Sequence, residues 1–149
     1  MTHVERQARF RLSAPVDEVF PFFTPEGERR WVAGWAPEWL HPAEGELAAG
    51  AVFRTRHDGE ETLWACLDWE PEAARVRYAR VTPGSRFGFV EVRCRAGAPG
   101  ETEVSVSYAL TALEQDGEAR LAGLTEAAFA ATMEEWRARI APLLAGASS

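Results

Sequence analysis

Between residues 51 and 113 apolar and polar side chains alternate in segments separated by turn-forming clusters: DGEE from residue 58, EPEA from 70, TPGS from 82 and AGAPGE from 96. A period of two sends successive side chains to opposite faces of a strand, and Gly, Pro, Asp and Ser supply the backbone angles of tight reversals. The run therefore reads as a meander of five antiparallel strands. Its last strand is the clearest, with Val104, Val106, Tyr108 and Leu110 on one face and Glu103, Ser105, Ser107 and Thr111 on the other. A slip of one residue would turn the whole apolar set to water, so the register is strongly specified.

Other patterns flank the meander. Residues 3–12 alternate, with Val4, Ala8, Phe10 and Leu12 opposite Glu5, Gln7, Arg9 and Arg11, as in a half-buried strand. Ser13 is placed to cap a helix that carries Pro15 in its first turn and Val16, Val19, Phe20 and Phe23 at helical spacing. Thr24, Pro25 and Glu26 repeat that start signal for a second short helix through about residue 32. The stretch WVAGWAPEWLHP then places Trp31, Trp35 and Trp39 four residues apart, but Gly34 and Pro37 argue against a continuous helix, so it reads as a loop. From about residue 118 to 144 helix formers dominate. Leu121, Leu124, Ala128, Thr132, Trp136 and Ile140 trace one stripe there, broadened by Phe129, Met133 and Leu143. A helix of about 25 residues would span nearly ~40 Å, enough to cross a sheet.

The order is thus β-α-α-β-β-β-β-β-α. It predicts an α+β fold in which a curved antiparallel sheet of about six strands wraps a long C-terminal helix. With no internal repeat and no long linker, residues 1–149 read as a single domain, long enough to bury about two thirds of the unfolded chain's surface.

Several function classes are disfavoured. A net charge of −7 opposes a polyphosphate partner, so no nucleic acid is expected. All sixteen basic residues are arginine, which removes Schiff-base chemistry and a P-loop lysine together. No apolar run approaches the ~18 residues of a membrane span, and MTHVERQARFRL lacks the apolar core of a signal peptide; a cytoplasmic protein with no membrane partner is expected. His3, His41, His57, Cys66 and Cys94 show no metal-ligand spacing, so neither a metal nor another cofactor is expected. Cys66 and Cys94 fall on the third and fifth strands. Two strand spacings of ~4.8 Å separate them by nearly ~10 Å, beyond the ~7 Å reach of a disulfide, and predict free thiols.

Strand parity also selects polar side chains that face inward. If Phe53 points in, so do Thr55 and His57, and if Val76 and Tyr78 share the inner face, Arg80 does too. An isolated buried guanidinium is costly, so Arg80 either meets a carboxylate, a rim water or a ligand's anionic group, or it lies past the buried part of its strand and is solvated. His57, just before the Asp58-Gly59 turn, is open to a surface placement as well.

The element order, together with RLSAPVDEVFPFFTPEGERRWV at 11–32 and WEPEAARVRYARV at 69–81, resembles the SRPBCC superfamily, the START and birch-allergen-like helix-grip domains. The nearest resemblance is to the bacterial polyketide cyclase/dehydrase and heat-shock-ATPase-activator-like branches. Ala14-Pro15 with Glu18, Val19 and Phe20, and the Glu70-Pro71 turn, are its most characteristic pieces. The resemblance covers essentially the whole chain. It implies a cavity for apolar ligands between the sheet and the long helix, and no shared catalytic motif, so no residue is assigned a catalytic role.

On that basis the expected walls are Phe53, Leu67, Trp69, Tyr78, Val90, Val92, Val106, Tyr108, Phe129, Met133 and Trp136. His57 and Arg80 are the polar candidates. Trp31 is expected in the core, with Trp35 and Trp39 either closing the cavity mouth or capping the core. The leading expectation is a protein that binds a small apolar or aromatic molecule. One alternative is a cyclase, aromatase or dehydratase-like enzyme using Tyr78, Arg80 or His57, and another is a co-chaperone-like interaction module. Two or more ionisable groups converging in the cavity would favour the enzyme, and a purely apolar cavity would favour carriage.

Overall fold

The computed structural model describes residues 1–144; residues 145–149, the end of the expected domain, lie outside the described residues. Seven strands, β1 (His3–Leu12), β2 (Glu38–His41), β3 (Val52–His57), β4 (Glu60–Glu70), β5 (Arg75–Thr82), β6 (Arg86–Ala96) and β7 (Thr102–Ala112), form one antiparallel sheet. Their order in space is β1-β7-β6-β5-β4-β3-β2. The five strands of the meander lie side by side in sequence order, and β1 crosses over to pair with β7 from His3 opposite Thr111 to Leu12 opposite Thr102.

The strand count exceeds the sequence reading by one because the tryptophan stretch is not all loop. Glu38–His41 adds to β3 as an edge strand, with Trp39 opposite Phe53. Pro37 and Pro42 bound it on either side, where a missing N–H or a fixed φ ends pairing, so the strand stays four residues long.

Between β1 and β2 the chain makes α1 (Val16–Val19), a tight 3-10 turn (Phe20–Phe23) and α2 (Pro25–Glu28). The Thr24 hydroxyl accepts from the Gly27 N–H at 3.0 Å and caps α2. Gly27 is required there, since a Cβ would stand 1.8 Å from the Pro21 carbonyl oxygen. This turn sets Phe20, Phe22 and Phe23 into the core at one end of the sheet's concave face.

The helical region after β7 is divided. α3 (Gln115–Ala122) ends at Gly123, and Thr125 starts α4 (Glu126–Ile140) by accepting from the Ala128 N–H at 3.1 Å. A single stripe over residues 118–144 therefore spans two helices, because a glycine followed two residues later by a capping threonine is a stop and a start signal. α4 is the long C-terminal helix that the sheet wraps. Its 15 residues measure about 22 Å, and it buries Phe129, Met133 and Ile140. α3 lies against the end of β7, where Gly117 rests on the Ser85 carbonyl at a distance no Cβ would allow and Leu121 packs with Leu110 and Ala112. Cys66 on β4 and Cys94 on β6 are buried free thiols with β5 between them. Among the described residues no helix is long and apolar enough to cross a membrane.

A candidate ligand cavity

Because α4 crosses near β1 and β7, the concave face toward β3, β4 and β5 is left with a cavity of about 320 Å3. One wall is a cluster of aromatic rings. Phe53 and Trp64, opposite one another on β3 and β4, stack with centroids 5.7 Å apart and planes 3° from parallel. Trp35 meets both edge-on at 6.3 and 5.8 Å, and Tyr78 meets both edge-on at 6.1 Å. Such edge-to-face contacts use the positive ring edge against the negative face.

The polar atoms of these rings are all tied down. The Trp35 indole N–H donates to the Pro25 carbonyl at 2.8 Å, Trp64 donates to the Thr55 hydroxyl at 3.0 Å, and the Tyr78 hydroxyl donates to the Phe23 carbonyl at 2.9 Å. Burial pushes the Tyr78 hydroxyl well above its ordinary range, so it stays neutral. Val90 and Val92 from β6, and Trp136 from α4, continue the apolar lining.

The cavity is also lined by ionisable groups without a charged partner. Arg80 on β5 lays its guanidinium 4.9 Å above the Trp64 ring and donates from Nη2 to the Thr82 hydroxyl at 3.2 Å. Its Nε is sealed from solvent with no acceptor, and no carboxylate pairs with it among the described residues. Burial lowers its pKa, with the nearby Arg86 charge adding to the effect. Glu28, at the end of α2, also lines the cavity, and its carboxyl is pushed up to about 8 by burial. Glu28 is half-buried, and its carboxyl makes no ion pair or hydrogen bond among the described residues, so no protein group offsets the hydration it gives up. Tyr108 on β7 lies between them electrically. Burial pushes its hydroxyl up to about 12, the Arg80 charge pulls it down and the Glu28 charge pushes it further up.

The mouth is polar. His57 and Asp58 at the β3–β4 turn stand beside Glu60, Arg86 and Arg120. Arg86 donates to both Glu60 oxygens at 2.9 and 3.0 Å, Arg120 approaches Glu60 at 3.3 Å, and the Arg86 hydrogen bonds hold the Glu60 carboxyl below its usual range. His57 is 42% exposed along its side chain and its ring packs on the Gly34 turn, so it edges the opening rather than the interior.

Of the residues singled out from sequence, Trp35, Phe53, His57, Tyr78, Arg80, Val90, Val92, Tyr108 and Trp136 all line this cavity. The others do not. Leu67 is the extra residue of a bulge between Cys66 and Asp68 and points outward at 36% exposure. Trp69, beyond the bulge, stacks on Phe20 at 5.6 Å. Val106, Phe129 and Met133 are buried where α4 presses directly on the sheet, leaving no room for a ligand. Trp39 packs on Phe53 at 5.6 Å from the edge strand and donates its indole N–H to Glu26 at 2.9 Å, away from the cavity.

Sequence reading missed Glu28 and Trp64. A signal existed for Glu28, which falls three and four residues before Trp31 and Val32, and Trp31 is core. For Trp64 the bulge hid the parity: counting back from Trp69 in strict alternation turns it outward.

No protein-family model matches the sequence, and no curated protein matches it. Solved structures do match. An uncharacterized protein from Rhizobium leguminosarum superposes with a TM-score of 0.68 at 18% identity, over 93% of this chain and 95% of the other. Norcoclaurine synthase from Thalictrum flavum, in complex with dopamine and hydroxybenzaldehyde, superposes with a TM-score of 0.64 at 9% identity, over 90% of this chain and 84% of the other. CalU16 from Micromonospora echinospora gives 0.62 at 19% identity, over 95% and 87%. At such low identity these likenesses carry the fold alone. The chain has the helix-grip fold.

Proposed function

We propose that the chain binds a small aromatic molecule in the cavity between the sheet and α4. The observation that carries this reading is the fixed aromatic wall of Trp35, Phe53, Trp64 and Tyr78 beside about 320 Å3 of free space. That volume lies at the lower end of ligand pockets, about 300–1,000 Å3, and suits one or two fused rings. The norcoclaurine synthase structure, holding dopamine and hydroxybenzaldehyde, is a precedent for aromatic ligands in a protein of this fold. The test is calorimetric titration with 2-naphthamide, an uncharged two-ring probe. Saturable one-to-one binding that weakens in Trp35→Ala is expected, and no saturable binding up to the probe's solubility would end the reading.

A second reading, catalysis, is favoured by one specific observation. Glu28 and Arg80, both ionisable and both without an ion-pair partner among the described residues, line the same cavity. A carboxyl that titrates near 8 can take and return a proton close to neutral pH. A guanidinium facing the same space stabilises an oxyanion. In this reading the Glu28 carboxylate removes a proton from the carbon next to a carbonyl, and the enolate oxygen is held by Arg80 or the Tyr108 hydroxyl until the proton returns. Deuterium exchange into 2-tetralone at pH 8, measured by NMR, should be accelerated by the protein and lost in Glu28→Gln. Exchange no faster than in buffer would leave binding alone.

A further inference from the structure

The three arginines that line the cavity are placed in different circumstances. Arg86 is matched by Glu60 on two oxygens, and Arg120 shares the same carboxylate. Arg80, on the neighbouring strand, has one hydroxyl partner for Nη2, none for Nε, and no carboxylate. Glu60 is bonded to the other two cations, so its charge reaches Arg80 only through space and no carboxylate pairs with it among the described residues. A guanidinium remains charged in a protein interior, and an uncompensated buried charge is destabilising unless something else meets it. The terminal nitrogens, the guanidinium's free end, belong to a side chain that lines the cavity beside the aromatic wall.

We propose that the cavity's ligand carries a carboxylate, and that Arg80 receives it with its terminal nitrogens while the ligand's ring lies against Trp64 and Phe53. The proposal rests on the aromatic-ligand reading and adds the charge of the ligand. One guanidinium balances one negative charge, and its planar pair of donors matches the two coplanar oxygens of a carboxylate. The Thr82 hydroxyl, itself joined to Thr62 at 2.7 Å, accepts from Nη2 and helps to fix the guanidinium on the Trp64 face. Glu28 does not compete for Arg80 near neutral pH, since its own carboxyl is pushed up to about 8 by burial. The ligand class is therefore a small aromatic monocarboxylate.

The experiment compares 2-naphthoate with 2-naphthamide, which have the same rings and nearly the same size, by calorimetry at pH 7 on the intact protein and on Arg80→Met. The wild type should bind the acid roughly tenfold more tightly or better, the scale of a charge-assisted hydrogen bond kept on binding. In Arg80→Met the preference should vanish, because the acid loses a charge-assisted contact and the amide only the weaker hydrogen bond its carbonyl accepts, while the methionine keeps the apolar stem on Trp64. Equal binding of the two probes by the wild type would overturn the carboxylate assignment and leave the aromatic cavity standing. A preference for the acid that survives in Arg80→Met would also overturn it, assigning the anion to Arg86 or Arg120 at the mouth. Binding of neither probe would remove both readings. The comparison on the wild type needs no variant, so a failure of Arg80→Met to fold does not protect the proposal.

Discussion

The aromatic wall and the polar lining of the cavity are built on different terms. On the wall each polar atom has a fixed partner: the Trp35 and Trp64 indoles and the Tyr78 hydroxyl all donate to the protein itself. Elsewhere in the lining the half-buried Glu28 and Tyr108 have no side-chain hydrogen-bond partner among the described residues, and Arg80, stacked on Trp64, has one and a sealed Nε with none. Burial without a partner costs free energy that folding alone gives no reason to spend. The wall is held in place by the protein itself and offers a ligand a ready apolar surface, and the unpaired groups are the part of the lining that a ligand would complete.

Substitutions can break this contrast. The largest effect should come from Trp31→Ala, although Trp31 lies outside the cavity. Its ring contacts Phe23 and Trp136 at 6.0 and 5.2 Å, and its indole N–H donates to the Phe22 carbonyl at 2.8 Å. Truncation should cost about 3–5 kcal/mol in urea unfolding, the usual loss for a buried large aromatic. Trp35→Ala, at the cavity, should cost clearly less and weaken naphthamide binding instead. Equal losses would make both residues core and erase the difference between wall and plug.

Glu28→Gln should come next, with a sign set by pH. The unfolded carboxyl ionises near 4.5 and the folded one near 8, so between those values the folded state holds an extra proton and stability falls as pH rises. The favourable contribution is complete below about 4.5 and lost above about 8. The groups facing Glu28 are Tyr78 from β5, Tyr108 from β7 and Trp136 from α4, with His57 at the mouth, and all are shared by wild type and variant. Subtracting one from the other therefore isolates Glu28. The glutamine variant should match the wild type at pH 5 and exceed it by about 2–4 kcal/mol at pH 9, allowing for water that enters the cavity. A difference that does not change with pH would mean that the carboxyl is hydrated and belongs with the mouth.

What sequence could show of this site follows from which rules are local. Register in β7, parity in β5 and the inward turn of Arg80 depend on alternation alone, and alternation is unbroken there. In β4 the bulge at Leu67 breaks it, and one inserted residue moved Leu67 outward and hid Trp64. The helix break at Gly123 was visible as residue types but overridden by a stripe that continued through it. Trp39 is a different case. Its place on an edge strand depends on pairing with β3, a contact between segments about a dozen residues apart that no local pattern encodes. The partners of Glu28 and Arg80 are likewise tertiary facts, since parity says which way a side chain points and not what waits for it.

The smallest effects give the finest test, because they set two tyrosines in one cavity against each other. Tyr78 and Tyr108 lie on the same inner face, and burial raises both hydroxyls. Tyr78 donates to the Phe23 carbonyl in the tight turn that closes the end of the sheet, so Tyr78→Phe strands a buried acceptor and should cost about 1–3 kcal/mol. Tyr108 has no hydrogen-bond partner among the described residues, its ring contacts with Phe129 at 4.9 Å and Trp136 at 6.4 Å survive removal of the hydroxyl, and Tyr108→Phe should change stability by less than about 0.5 kcal/mol. The order should invert when a ligand is present. The Tyr108 hydroxyl feels the charges of both Arg80 and Glu28, so a ligand group placed between those two is within its influence, whereas the Tyr78 hydroxyl is already spent on the backbone. Tyr108→Phe should therefore lower naphthoate affinity more than Tyr78→Phe does, while lowering the unfolding midpoint less. If Tyr108→Phe destabilises the free protein as much as Tyr78→Phe, its hydroxyl has a structural partner, and the line between the tied wall and the open groups must be redrawn with Tyr108 on the structural side.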